Sequence, residues 1–243
     1  MSDILFFAII TGISLIFGAI AGLFFKFSQK IIAGIMAFGS GMLICTLSFG
    51  LMEEAFVLGG FDAAIIGFLI GGLVFIGGDY LIHYYGGRRH RRIQLFKPEK
   101  VTNGKLIVLG SVLDNIPESI ALGIAVATGQ TIGILLAVAI CVANFAEGIS
   151  SVPGLIKEKF THKSIYLMWG LVAVVTVFFV LFSYQYLGDL SHNTIGIIES
   201  FAAGAILVML ADSMIPEAFE DGGFGVALLT LFGFLSAFIL TRI

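Results

Sequence analysis

The sequence has few charged residues and few of the residues on which soluble enzymes depend for chemistry. Charged side chains make up 12% of the 243 residues, against about 25% in an average soluble domain. Its two cysteines, Cys45 and Cys141, lie in separate apolar stretches, so no disulfide framework or CxxC metal motif exists. Motifs of serine hydrolases, phosphate-binding loops, zinc proteases and dinucleotide-binding folds are also missing. We therefore expect the protein not to be an enzyme.

Apolar residues are abundant instead. They make up 58% of the chain, which also has 31 glycines, 24 phenylalanines and a mean hydropathy of +1.07. Apolar stretches long enough to cross about 30 Å of hydrocarbon recur along the chain. They predict an all-α integral membrane protein, a single transmembrane transporter domain over 1–243, with a retained first span rather than a signal peptide. The eight predicted helices are 4–25, 31–53, 62–83, 105–128, 131–156, 164–187, 194–217 and 224–241.

The basic residues predict the orientation of these helices. Twelve of the 13 lysines and arginines fall between spans one and two, three and four, or five and six. The positive-inside rule places these connections, including the loop 84–104, in the cytoplasm and both termini outside the plasma (inner) membrane. The run RRHRR at 88–92 is interpreted as a topogenic loop rather than as a site for nucleic acid or anionic lipid. The bilayer is thus an expected partner, nucleic acid is not, and a homodimer is left open.

A repeat divides the chain into related parts. EAFVLGGF at 54–61 returns as EAFEDGGF at 217–224, and the match extends without a gap over 38–64 and 201–227, with ten of 27 positions identical. With eight spans the two copies cross the membrane in opposite directions. This predicts an inverted repeat of helices 1–3 and 6–8 around helices 4–5, a 3+2+3 arrangement typical of secondary transporters. The alternative is a duplication retained only for folding.

The central helices carry polar residues at mid-depth. LDNIPESIALG (113–123) and ANFAEGISSVPG (143–154) place acidic and amide side chains about halfway along their spans. A carboxylate at the bilayer centre costs roughly 2.5–3.5 kcal/mol, and no lysine or arginine lies at this depth. Oxygen donors of this kind suit divalent cations such as Zn²⁺, Fe²⁺ or Mn²⁺. The predicted metal site consists of Asp114, Asn115, Glu118, Asn144 and Glu147.

Two alternatives use the same carboxylates. They could be protonated carboxyl groups that hydrogen-bond two helices together. They could also be the proton sites of a proton-linked carrier or exporter of a small solute. In none of these interpretations is a prosthetic group expected, and in the first the metal cation is the substrate.

The central motifs resemble those of a known family. D-N-I-P-E-S at 114–119 resembles the H-N-x-P-E-G motif of the ZIP (zinc/iron-regulated-like) metal transporters, and N-F-A-E-G at 144–148 resembles the later part of their H-x-x-P-E-G motif. FAAGAILVMLADSMIPEAFEDGG (201–223) is similar to the seventh span of bacterial members. The resemblance implies a divalent metal transporter with a binuclear-type site between spans four and five.

The chain also departs from the family pattern. Asp114 and Ala143 stand where the family has its two motif histidines, and Ala146 replaces the second proline. Because Ala143 cannot bind a metal, one metal is expected instead of two. A site without imidazole discriminates less by donor softness, so a comparatively broad selection is expected.

Further acidic residues suggest a pathway to and from the site. Glu53 and Glu54, near the outer end of span two, could attract cations to the entrance. Asp212 and Glu217, toward the cytoplasmic end of span seven, could form an exit, with Asp212 the deeper of the two. The alternative interpretation of each is a solvated helix end.

Overall fold

The computed structural model describes residues 2–25, 27–84, 104–129 and 132–241, and across these ranges the chain is helical, without a β-strand. The α-helices are α1 (Ser2–Phe24), α2 (Gln29–Thr46), α3 (Met52–Tyr84), α4 (Gly104–Ala127), α5 (Ile132–Lys157), α6 (His162–Tyr186), α7 (His192–Met209), α8 (Ile215–Gly222) and α9 (Gly225–Leu240). Six helical segments in these ranges are long and apolar enough to cross a membrane. The prediction of an all-α integral membrane protein agrees with this architecture.

Two predicted helix ends differ from the structure. Spans two and seven are predicted to end at 53 and 217, whereas the helical path continues as far as the glycine pairs at 59–60 and 222–223. Charged residues such as Glu53 suggested a helix end, but glutamate is a good helix former and does not stop a helix. The predicted cytoplasmic loop 84–104, with its RRHRR run, lies outside the described residues except for its two ends.

Gly60 is the point at which the chain reverses within α3. Its φ of 74° and ψ of −175° belong to a region that only glycine adopts without strain. Before Gly60 the chain runs against the direction of α7, and after it the chain runs alongside α7 in the same direction. The neighbouring pairs are Ala55 with Gly196, Gly59 with Asn193, Gly67 with Ile197, and Gly71 with Phe201.

The backbone repeats at the same spacing as the sequence. A π-helical turn joins α2 to α3 at Leu47–Leu51, and a second one joins α7 to α8 at Leu210–Met214, 163 residues later. Gly60 and Gly223, both with positive φ, are also 163 residues apart. A π-helical turn holds one residue more than an α-helical turn, so both copies retain the same insertion at the same place.

Beyond Gly60 and Gly223, equivalent positions of the two copies are one residue closer together in the sequence than the 163 residues of the repeat. Gly41 faces Thr230, and its counterpart Gly204 faces Phe68; Gly233 faces Phe38, and its counterpart Gly71 faces Phe201. The partners on α3 and α9 therefore correspond at a spacing of 162, not 163. The sequence aligns without a gap through residues 64 and 227. The helix contacts beyond Gly60 and Gly223 align only when the second copy has one residue fewer after its glycine.

These close contacts predict that alanine substitutions at two glycines of α3 have different effects on stability. A Cβ atom added at Gly71 would meet the backbone carbonyl of Phe201, whereas one added at Gly77 would meet nothing within 4 Å. We expect Gly71→Ala to destabilise the fold by about 1–3 kcal/mol, because two backbones must move apart. Gly77→Ala should be neutral or stabilising, since alanine is the better helix former by about 1 kcal/mol. Thermal unfolding of both variants in detergent measures this, and equal losses would contradict the packing.

Candidate functional site

Helices α4 and α5 lie antiparallel, and two contacts fix their relative position. At the end joined by the short connection, Gly133 of α5 lies beside Val126 of α4. At the other end, the Ser111 hydroxyl of α4 donates a hydrogen bond of 2.5 Å to Glu147 Oε1 of α5. The predicted site residues lie between these two contacts or next to them, near the middle of both helices.

Glu118 is the most unusual side chain of this region. It is only 2% exposed and lies on a central helix of the predicted membrane domain. The charged group that acts on it most strongly is the carboxylate of Glu147. Burying a charge without a partner is costly, and two neighbouring carboxylates repel each other unless a cation or a proton neutralises them.

Glu147 completes this pair from the facing helix. It is half-buried and held by the Ser111 hydroxyl. Side chains on a helix lean toward its N-terminus, so on antiparallel helices Glu118 and Glu147 lean toward each other. Ser111 was not singled out in the sequence, because its partner on α5 becomes known only from the register of the helices.

Each of the two asparagines forms a hydrogen bond to a different neighbouring helix. Asn115 Nδ2 donates to the Ser111 carbonyl at 2.9 Å, and its Oδ1 accepts from the Thr176 hydroxyl of α6 at 3.2 Å. Asn144 Nδ2 donates to the Thr11 carbonyl of α1 at 3.1 Å. The asparagines are thus linked to α6 and α1 in addition to bordering the site.

The remaining predicted ligand and the two substituted motif positions are also buried. Asp114 is 8% exposed, and its neighbour Leu113 packs against Gly78 of α3. Ala143 is 4% exposed and lies beside Gly39 of α2, while Ala146 is fully buried. In the part of the chain that the structure describes, no three His, Cys, Asp or Glu side chains converge as a metal cage. Glu118 and Glu147 come together, but no third such ligand lies with them.

The predicted pathway residues lie at the two π-helical turns. Glu53 is exposed and Glu54 is half-buried, both in the first turn of α3. Asp212 is exposed within the second π-helical turn, and Glu217 is half-buried at the start of α8. Glu54 and Glu217 are equivalent in the repeat, which places similar acidic groups beside both turns.

No family model matches the chain, and no curated protein matches it.

Proposed function

We propose that the protein is a ZIP-like membrane transporter of divalent transition-metal cations such as Zn²⁺, Fe²⁺ or Mn²⁺. The observation that carries this proposal is Glu118, a 2% exposed side chain whose carboxylate lies beside that of Glu147. In a bilayer, ionisable groups of this kind mark substrate and ion pathways. The metal ion is the substrate and no prosthetic group is required.

Eight spans in a 3+2+3 arrangement fit the geometry of the chain. The apolar segment Gln29–Ile82 has 54 residues, so a straight helix would be about 81 Å long and more than twice the bilayer core. The reversal at Gly60 divides it into two spans. Helix α9, with 16 residues, would be about 24 Å long and could serve as a short final span.

The inverted repeat agrees with the direction of packing. Beyond Gly60, α3 runs in the same direction as α7, as spans three and seven would if both cross from outside to inside. With the basic loops 84–104 and 157–163 in the cytoplasm, both termini lie outside the plasma membrane. Paired repeats of opposite orientation provide two related packings around one central site.

Within this proposal the polar residues have distinct roles. Glu118 and Glu147 bind the cation directly, and Asp114, Asn115 and Asn144 supply further oxygen atoms as the site closes around it. Glu53 and Glu54 attract cations at the outer side, and Asp212 and Glu217 accept them toward the cytoplasm. A site of oxygen ligands accepts several divalent cations, because it offers no strong preference for the softer ones.

A proton-linked carrier of a small solute is the second candidate. Two observations favour it: the described residues hold no group of three metal-binding side chains, and Glu118 and Glu147 form a carboxylate pair of the kind that shares a proton. In this function the pair would exchange protons with both sides of the membrane while another surface binds the solute.

Purified protein in sealed vesicles separates the two functions. One dye inside the vesicles reports metal entry, with Zn²⁺, Fe²⁺, Mn²⁺ and Co²⁺ supplied in turn, and a second dye reports internal pH. We expect saturable metal entry that empty vesicles lack. Proton flux under a pH gradient without any metal entry would contradict the metal transporter and support the proton-linked carrier.

A further inference from the structure

Ser111 of α4 belongs to a chain of hydrogen bonds that crosses three helices. The residue is 4% exposed, and its hydroxyl donates to Glu147 Oε1 of α5 at 2.5 Å. Its backbone carbonyl accepts from Asn115 Nδ2 at 2.9 Å, and Asn115 Oδ1 accepts from the Thr176 hydroxyl of α6 at 3.2 Å. Since a backbone carbonyl can only accept, the Asn115 amide directs its nitrogen to Ser111 and its oxygen to Thr176. The chain therefore has one direction, from α6 through α4 to the Glu147 carboxylate.

The acceptor of the Ser111 hydroxyl differs from those of other buried serines. Ser40 and Ser213 are also buried, and each donates to the backbone carbonyl four residues earlier in its own helical path. A hydroxyl on a helix can thus be satisfied without a partner on another helix. The Ser111 hydroxyl instead donates to a carboxylate of α5, so its bond constrains Glu147.

The bond holds Glu147 without removing its charge. A hydrogen bond to an ionised carboxylate is stronger than one between neutral groups. Glu147 is half-buried and has a long, flexible side chain, so fixing one of its oxygens reduces the rotamer freedom that is lost when a ligand binds. Because the serine hydroxyl is neutral, the negative charge of the carboxylate stays available to a cation.

We propose that Ser111 is a positioning residue for the transported cation, and that its hydroxyl holds the Glu147 carboxylate in the orientation in which it binds the cation. Asn115 and Thr176 fix Ser111 in turn through the chain of hydrogen bonds. This inference rests on the proposed transport of divalent cations. Residues that orient a metal ligand in this way contribute about 10- to 100-fold to metal affinity.

Binding of Zn²⁺ to the full chain in detergent tests this role. The matched control for Ser111→Ala is Ser119→Ala, which removes from the same helix a hydroxyl that is also buried but has no hydrogen-bond partner among the described residues. We expect Ser111→Ala to lower the affinity for Zn²⁺ about 10-fold, and Ser119→Ala to leave it nearly unchanged. Ser111→Thr, which keeps the hydroxyl, should restore it.

Two further measurements separate positioning from packing. If Ser111 acts through Glu147, Ser111→Ala should weaken Zn²⁺ binding no further in a chain that already carries Glu147→Ala, whereas a purely structural loss would add to the first one. In vesicles, Ser111→Ala should raise the apparent KM for Zn²⁺ and retain the maximal rate, because Glu147 still binds the cation once it is oriented.

The outcomes also separate this inference from the transport function. Unchanged Zn²⁺ affinity in Ser111→Ala, additive losses in the double variant, or a Ser111→Thr protein as weak as Ser111→Ala would each overturn the role of Ser111 and leave metal transport standing. Failure of the original protein to bind any divalent cation would overturn both. Unfolding temperatures near that of the original protein ensure that a lowered affinity reports lost orientation and not a lost fold.

Discussion

Glu118→Gln is expected to reduce metal uptake into vesicles by at least about 100-fold while the protein still inserts and folds. The loss of a direct ligand should exceed the 10- to 100-fold effects seen when only supporting groups around a metal are removed. Glutamine retains the shape of the side chain but carries no charge, so it cannot neutralise a divalent cation at this buried position. Removing a buried charge favours membrane insertion, so poor insertion cannot explain the loss.

Two further variants test whether the loss of metal uptake comes from the carboxylate pair. Glu147→Gln should have a similar effect, because it removes the second carboxylate of the pair. Glu220→Gln changes an exposed carboxylate of α8 by the same chemistry, and it should transport normally. Normal uptake by Glu118→Gln at limiting metal concentration would show that the cation passes elsewhere.

The positions of the helices could be predicted from the sequence because hydrophobic stretches of a suitable length are the dominant signal in a membrane protein. The helix ends near Glu53 and Glu217 could not, since a charged residue suggests a membrane boundary without ending a helix. The backbone ends its helical path at Gly60 and Gly223 instead, where only glycine adopts the positive φ. The repeated sequence EAFxxGGF includes both glycines, but their positive φ is known only from the structure.

The membership of the candidate site stays a prediction, and the sequence indicated the arrangement of its residues only in part. Matching the two central motifs by sequence aligned Glu118 with Glu147. On antiparallel helices, residues that are equivalent by symmetry need not stand opposite each other: Glu147 accepts a hydrogen bond from Ser111, which is seven residues before Glu118. The hydrogen bonds from the asparagines to α1 and α6 were likewise outside prediction, because they depend on which helices pack together.

The packing of the central helices decides at which of the two motif positions a histidine can test metal selectivity. The ZIP motifs that the chain resembles have two histidines, at the positions of Asp114 and Ala143. Ala143 is 4% exposed and lies beside Gly39 of α2, so an imidazole there would be overpacked and would move the helix. Asp114 already carries a polar side chain of similar length, which makes it the position where a histidine can be introduced with less disturbance.

Asp114→His is expected to raise the affinity for Zn²⁺ relative to Mn²⁺ by about 100-fold, because imidazole is a better ligand for Zn²⁺ than for Mn²⁺. The gain should disappear as the pH falls through about 6.5, where an unperturbed histidine takes up a proton and no longer binds metal. Competition binding in detergent at pH 7.5 and pH 5.5 measures both effects. Asp114→Asn is the control: it removes the charge without adding imidazole, so it should weaken both cations and leave their ratio nearly unchanged. A ratio that is the same in Asp114→His and in the original protein would place Asp114 outside the coordination shell, leaving Glu118 and Glu147 as the carboxylates that bind the cation.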